Sequence, residues 1–494
     1  MFTLKCIFLN IVLALSIACI AQSRPNVIYI YADDMGYGEL GSYGQQKIKT
    51  PHLDKMAAEG LRFTQHYTGA PVCAPARCIL MTGKHSGHSY IRGNYELGGF
   101  EDENEGGQMP LPENTFTIAK LMKQAGYVTG AIGKWGLGMN DNSGNPNKQG
   151  FDYFYGYLDQ KQAHNFYPTH LWENDKWDTL RNKYFMVHRR IPQNAPDSAF
   201  DNFKGKDYSL TKMAEKTLEF IKKNKSKPFF LYLPYTGPHV ALQAPDEAVG
   251  EYIGNFDEQP YYGERGYAPS KYPLSTYAAM ITYMDKQVGR IMALLKELGI
   301  DKNTLVMFSS DNGSTFDVGG VNAEYFDLTG GLRGRKQDLY EGGIRVPFIA
   351  RWPGKIAPGK TTSLVSAQYD LMATLGELTK IKISNTDGIS FLPTLLGQPQ
   401  KQTPHQYLYF EFPEKSGQVA IRMGRWKGVK SGMKKNLNAP WEIFDLKNDE
   451  KERNNIASQH HDLVDKFEKI MRREHTRSHI KDWEFIDKRF NDKN

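Results

Sequence analysis

Asn26-Val-Ile-Tyr-Ile-Tyr-Ala-Asp-Asp34 is a short apolar run that stops abruptly at two acids. Val27 to Tyr31 shows no alternation of polar and apolar residues, so neither face of such a strand is meant for water. That is the pattern of a buried strand in a parallel sheet. The same texture recurs downstream. A helix is expected from about His52 to Gly60, with Leu53, Met56 and Ala57 on one side. A second is expected from about Thr115 to Gly126 through Ile118, Leu121 and Met122, and Tyr127 to Ile132 reads as the next strand. Phe229 to Leu233 is another. The longest helix is expected from about Ser275 to Leu298, where Tyr277, Met280, Ile281, Met284, Val288, Ile291, Met292 and Leu295 keep a helical period. Gly299 closes it, and Thr304 to Phe308 follows as a strand. Strands alternating with helices predict a large, mainly parallel α/β sheet flanked by helices.

Beyond residue 400 the texture changes. Tyr407–Phe412, Gln418–Met423, Trp426–Val429 and Glu442–Leu446 are short strand-like runs, and a helix is expected from His461 to Glu474. This predicts a small α+β subdomain with an antiparallel sheet. The expected division is a signal peptide over 1–21, a main domain over 24–400 and a C-terminal subdomain over 401–494.

Polar residues gather just past strand ends. Asp33 and Asp34, Lys134, His239, and Asp311 with Asn312 all lie there. Open α/β sheets build their sites at the carboxyl ends of strands, so four separate segments point to one edge. Alone, Asp33 and Asp34 serve equally well to cap a helix or solvate a turn. With Asp311 and Asn312 they form an oxygen-only donor set, which suits Ca²⁺ or Mg²⁺ rather than zinc. Cys73-Ala-Pro-Ala-Arg77 opens a further helix, because Pro75 is suited to a first turn. Cys73 then sits where free N–H groups favour an anion, and Arg77 adds a permanent positive charge. The plainer alternative is a buried cysteine that only packs. Cys78, five residues on, points to a different helical face and reads as packing.

The ordered set Asp33-Asp34, Cys73-Ala-Pro-Ala-Arg77, Gly133-Lys134-Trp135, Pro238-His239, Asp311-Asn312 and Leu332-Arg-Gly-Arg-Lys336 resembles the type I formylglycine-dependent sulfatases. These are arylsulfatase A-like members of the alkaline phosphatase superfamily. The resemblance spans nearly the whole chain and implies the alkaline phosphatase-like fold. It implies that Cys73 is oxidised to formylglycine by a maturation enzyme. It implies that Asp33, Asp34, Asp311, Asn312 and the modified Cys73 hold calcium, ahead of magnesium. Arg77 orients the aldehyde hydrate, Lys134 and Lys336 bind sulfate oxygens, and His239 contacts the leaving oxygen. Two positions depart from the pattern. Ala76 stands where serine is common, and Gly136 stands where many members have histidine in Lys-Trp-His-Leu-Gly. His164, His85 and His88 are candidates to replace that histidine, with His164 and His88 also expected at the substrate. The resemblance leaves two rivals open: a phosphate or phosphonate monoester hydrolase of the same superfamily, and a non-catalytic binder of sulfated glycans.

Composition frames these readings. The chain has 494 residues, 40% of them hydrophobic and 24% charged, as in an ordinary globular protein. Lys5 followed by the apolar Cys6–Ile20 and the small Ala21 reads as an export signal, which places the protein in the periplasm or outside the cell. Cys19 after Ala18 is a candidate lipid anchor, although Ser16 and Ile17 match that signal poorly. No later run is long enough to span a membrane. With Cys6 and Cys19 in the signal, only Cys73 and Cys78 remain, so no disulfide framework is expected. A formal net charge of +7 suits a polyanionic partner such as a sulfated saccharide, and equally a plain excess of solvated lysines. The cations form no stripe, which argues against nucleic acid. Tyr155 to Trp172, rich in aromatics and histidines, serves equally as a stacking and hydrogen-bonding wall for a sugar or as core; the resemblance favours a sulfated glycan of galactose type over a small aryl sulfate.

Overall fold

The computed structural model describes residues 24–487. The expected signal peptide, with Cys6 and Cys19, lies outside the described residues. In chain order the main elements are β1 (Asn26–Ala32), α1 (Pro51–Ala58), β2 (Leu61–Tyr67), α2 (Cys73–Thr82), α3 (Ile118–Gln124), β3 (Val128–Lys134), β4 (Tyr153–Tyr157), α4 (Ser209–Asn224), β5 (Phe229–Pro234), α5 (Pro273–Glu297), β6 (Thr304–Ser310) and β7 (Arg345–Arg351). They continue with β8 (Leu408–Phe412), β9 (Gln418–Met423), β10 (Trp426–Ser431), β11 (Trp441–Asp445) and α6 (His461–Glu474).

β1 lies inside an 11-stranded sheet, with β6 on one side and β5 on the other. The five strands β6-β1-β5-β3-β4 run parallel. β7 pairs antiparallel to β6, and β2 antiparallel to β7. The apolar run of β1 is explained by its two neighbours in depth. Ile28 and Ile30 face a core shared with Met280 and Met284 of α5 and Met213 of α4. Val27, Tyr29 and Tyr31 face the opposite core, shared with Leu80 and Met81 of α2 and Leu121 and Met122 of α3. Each such side chain fully removed from water contributes about 1.5–3 kcal/mol.

Local chemistry sets several boundaries. α3 begins at Ile118 rather than near Thr115, because the Thr117 side chain accepts the Lys120 N–H at 3.2 Å and so caps the helix. α5 begins at Pro273, two residues before the expected start, with the proline in its first turn. Sequence patterning does not announce β7, because Pro347 interrupts its run. In the sheet that proline sits at a register shift between Val346 and Phe348, where a missing N–H is tolerated. The aromatic segment divides between its two readings, with Gln160, Lys161 and His164 lining a cavity and its larger rings in the core. Tyr155, Tyr157, Phe166 and Trp172 are packed into the cores rather than offered to a sugar.

β8 to β11 form a separate four-stranded antiparallel sheet. One face packs on α6 through Val419, Ile421, Ile443 and Phe467. The other, through Phe410, Phe412, Ala420 and Val429, packs on Val72, Ala76 and Ile79, so this sheet supports the back of α2. Lys427 of β10 is wholly buried between Glu341 and Glu452, each at 2.9 Å.

His475, just past α6, bridges Glu411 of β8 and Glu484 at 3.0 Å each. Burial disfavours its charge, but the two carboxylates outweigh that and raise its pKa from 6.5 to about 9. A group raised on folding stabilises fully below its unfolded pKa and loses that effect as pH rises through the folded one. The bridge therefore stabilises below about pH 6.5 and weakens progressively toward pH 9. Between those limits the thermal midpoint of wild type should fall more than that of His475→Gln; parallel curves would dismiss the bridge.

Candidate active site

The parallel strands deliver their acids and cations to one edge. Asp33 and Asp34 follow β1, Asp311 and Asn312 follow β6, and Lys134 ends β3. Asp34 has φ of 65°, a conformation costly for a residue with a Cβ. It is held there by its own N–H, which donates to Asp311 Oδ1 at 3.0 Å, and by Asn312 Nδ2, which donates to its Oδ1 at 2.8 Å. Cys73 begins α2 and is buried. Its Sγ lies 3.4 Å from Asp33 Oδ1, 4.0 Å from Asp34 Oδ1 and 3.6 Å from Lys336 Nζ.

Three cations answer the three carboxylates. Lys134 Nζ donates to Asp33 Oδ2 at 2.7 Å, and Lys336 Nζ to Asp34 Oδ2 at 2.8 Å. Arg77 donates to Asp311 Oδ2 at 2.9 Å and to the Lys134 carbonyl at 2.6 Å, and stands 3.4 Å from Asp33. Charges this deep persist only when paired. Burial acts to raise the Asp33 pKa, but Lys134, His239 and Arg77 overcome it and hold the carboxyl below its ordinary range. Burial and the Asp33 charge raise Asp311 to about 7. Burial, then Asp33, push the Cys73 pKa up, so the unmodified side chain is a neutral thiol and a poor nucleophile. Burial, then Lys336, lower His239 to about 4, leaving a neutral ring whose Nε2 lies 3.6 Å from Asp34 Oδ2.

Ligand atoms of Asp33, Asp34, Cys73 and His239 lie within 4.8 Å of one another. Asn312 Oδ1 is buried beside them with no hydrogen-bond partner. An orphaned amide oxygen among buried carboxylates fits a hard cation.

A cavity of about 150 Å³ opens over Cys73, lined by Asp34, Lys134, His164, His239 and Lys336. The His164 ring lies parallel to His239 with centroids 4.8 Å apart, and its Nδ1 is 3.3 Å from His188 Nε2. His88 is a correction. It does not line this cavity; it is stacked on His85 and bonded to Asp387 at 3.0 Å. His85 is committed likewise, to Glu474 at 3.2 Å. Gly136 has φ of 71°, and a Cβ there would stand 3.2 Å from Gln160 Oε1. The backbone thus disfavours a side chain at this position. Asn94, outside every segment singled out from the sequence, and Gln160, within the candidate sugar wall, also line the cavity. Asn94 Oδ1 accepts the Ala74 N–H at 3.1 Å and Gln160 Nε2 at 3.2 Å, and no local sequence signal marks Asn94. Cys78 is buried, accepts from Ser89 Oγ at 3.4 Å and packs against the α2 core as expected.

Fixed cations converging on a buried side chain at the edge of a mainly parallel sheet define a hydrolase of anionic esters with the alkaline phosphatase fold. The chain belongs to the sulfatase family, as a type I sulfatase, and is a sulfuric ester hydrolase. The sulfatase family model matches residues 25–381, and a model described as the C-terminal region of N-sulphoglucosamine sulphohydrolase matches residues 334–477. N-acetylgalactosamine-6-O-sulfatase of Bacteroides thetaiotaomicron is 29% identical across 92% of this chain and 94% of that protein. Arylsulfatase A of Bos taurus is 32% identical across 85% of this chain and 77% of that protein. Among solved structures, Ps i-CgsB in complex with k-i-k-neocarrahexaose aligns at a TM-score of 0.73 and 28% identity, covering 94% of both chains.

Proposed function

We propose that the protein is an exported, calcium-dependent carbohydrate sulfatase that uses a formylglycine made from Cys73. The observation that carries this reading is the position of Cys73 Sγ, buried 3.4 Å from Asp33 and 3.6 Å from Lys336 Nζ. A neutral thiol has no evident work there, whereas an aldehyde hydrate offers one hydroxyl to attack sulfur and a second whose deprotonation expels sulfate. A maturation enzyme is the partner this requires. Asp33, Asp34, Asp311, Asn312 and the modified Cys73 would hold the cation. Bound there, it would supply Lewis-acid polarisation of an ester oxygen. Asp33, Asp34 and Asp311 face Arg77, Lys134 and Lys336, so the residues alone carry no large negative excess. A divalent cation would therefore leave the pocket with a positive excess, which suits a sulfate monoester.

The chain's own residues divide the work. Arg77, held by Asp311 and the Lys134 carbonyl, fixes the acids and orients the Cys73 side chain. Lys134 and Lys336 lie where charge develops on sulfate oxygens, and both stay protonated because Asp33 and Asp34 outweigh the cost of their burial. His239 Nε2 faces the pocket where the leaving oxygen would lie and contacts it. His164, stacked on His239, borders the leaving group and contacts the sugar. One relative is named N-acetylgalactosamine-6-O-sulfatase and another was solved with k-i-k-neocarrahexaose, which supports a sulfated glycan of galactose type. The apolar segment over residues 6–20 supports export, and no helix among the described residues is long and apolar enough to cross a membrane.

Ion chromatography of sulfate released from a panel of sulfated mono- and oligosaccharides tests this reading. Release from at least one saccharide is expected, with loss on exhaustive chelation and recovery on adding calcium. Activity indifferent to chelation would remove the cation. Turnover of phosphate or phosphonate esters without any sulfate release would overturn the substrate class.

A further inference from the structure

Two cavities meet at Lys336. The pocket over Cys73, about 150 Å³, is sized for a sulfate and part of one sugar. A second cavity of about 450 Å³ opens on the far side, and Phe316, Lys336 and Gln337 line both. A sugar held by its sulfate in the first pocket can thus pass its chain neighbour over Phe316 into the second.

The second cavity carries chemistry that sulfate cleavage does not use. Arg335 and Lys415 line it, and both keep access to solvent, with side chains 31% and 50% exposed. Arg335 pairs with Asp317 at 3.3 Å, and Lys415 pairs with Asp338. Ion pairs this exposed contribute little to stability and exchange readily for an arriving anion. Phe316, 39% exposed, presents a ring between the two cavities. The shared rim is rigid. Gln337 is held at φ of 73°, its N–H donating to the Pro71 carbonyl at 2.9 Å and its carbonyl accepting Gln418 Nε2 at 2.8 Å. A residue fixed in that conformation by bonds on both sides marks a boundary whose shape matters.

We propose that this cavity is a second subsite, which takes the next sugar of an anionic oligosaccharide. Arg335 and Lys415 bind its sulfate or carboxylate, and Phe316 lies against its ring. The enzyme is then selective for an acidic oligosaccharide over a single sulfated sugar. This rests on the carbohydrate sulfatase reading, and the test separates the two.

Wild type and Arg335→Gln/Lys415→Gln are compared on 4-nitrophenyl sulfate, a sulfated galactan tetrasaccharide and a chondroitin 6-sulfate tetrasaccharide. The first carries no second anion, the second carries further sulfates, and the third adds carboxylates. Loss of two charged contacts should raise KM for at least one tetrasaccharide about tenfold or more, with 4-nitrophenyl sulfate turnover within about twofold of wild type. Which tetrasaccharide responds tells sulfate from carboxylate. Tetrasaccharide KM values that do not move, that move only in step with 4-nitrophenyl sulfate, or tetrasaccharides untouched while 4-nitrophenyl sulfate is cleaved, overturn the subsite. Wild type that releases sulfate from none of the three overturns the parent reading instead.

Discussion

Cys73→Ala should abolish sulfate release while the protein still folds. Alanine keeps the helical start of α2 and removes only Sγ, which touches Asp33, Asp34 and Lys336 rather than the apolar core. The loss of packing is about 1 kcal/mol, a shift of about one degree in thermal midpoint for a chain of this size. Catalysis is different in kind, because no neighbouring group can replace a nucleophile that must also expel its product. Sulfate release measured against a blank, beside a melting curve, decides the matter. A variant that keeps turnover would refute the assignment of Cys73. An inactive variant that melts far below wild type would show a structural cysteine instead.

Lys336→Ala should lower kcat/KM for a sulfate ester by roughly 10²-fold or more, as for other donors aimed at a developing anion. Its Nζ reaches both Cys73 Sγ and Asp34, so the side chain is spent on the reacting position. It comes from a loop between β6 and β7, and because its loss leaves buried Asp34 without its lysine partner, a melting curve accompanies the rates. A value within error of wild type would assign Lys336 to balancing Asp34 alone.

Much of the site was legible because it uses local signals. Apolar runs that end in Asp33-Asp34 and Asp311-Asn312 place acids past strand ends, and parallel pairing brings those ends together. The Cys73-to-Arg77 spacing is read within one helical turn. What stayed hidden depended on contacts between distant segments. His88 follows α2 closely in sequence, yet Asp387, from a segment far along the chain, turns it away from the pocket. The aromatic run from Tyr155 looked suited to a sugar, but four of its rings were needed to fill two cores. Asn94 reaches the cavity from a loop with no periodicity to betray it.

The sequence alone therefore determined the β1 strand, the alternation behind a mainly parallel sheet, and the identity of the acids, cations and cysteine. Those follow from hydrophobic period and residue chemistry, which are local. Only the tertiary structure decided which group each charge serves. It set Arg77 on Asp311 and the Lys134 carbonyl, laid His164 against His239, and opened a second cavity beside Lys336. The reason is burial: a charge removed from water must find its partner, and that partner is fixed by strand register and by loops hundreds of residues apart.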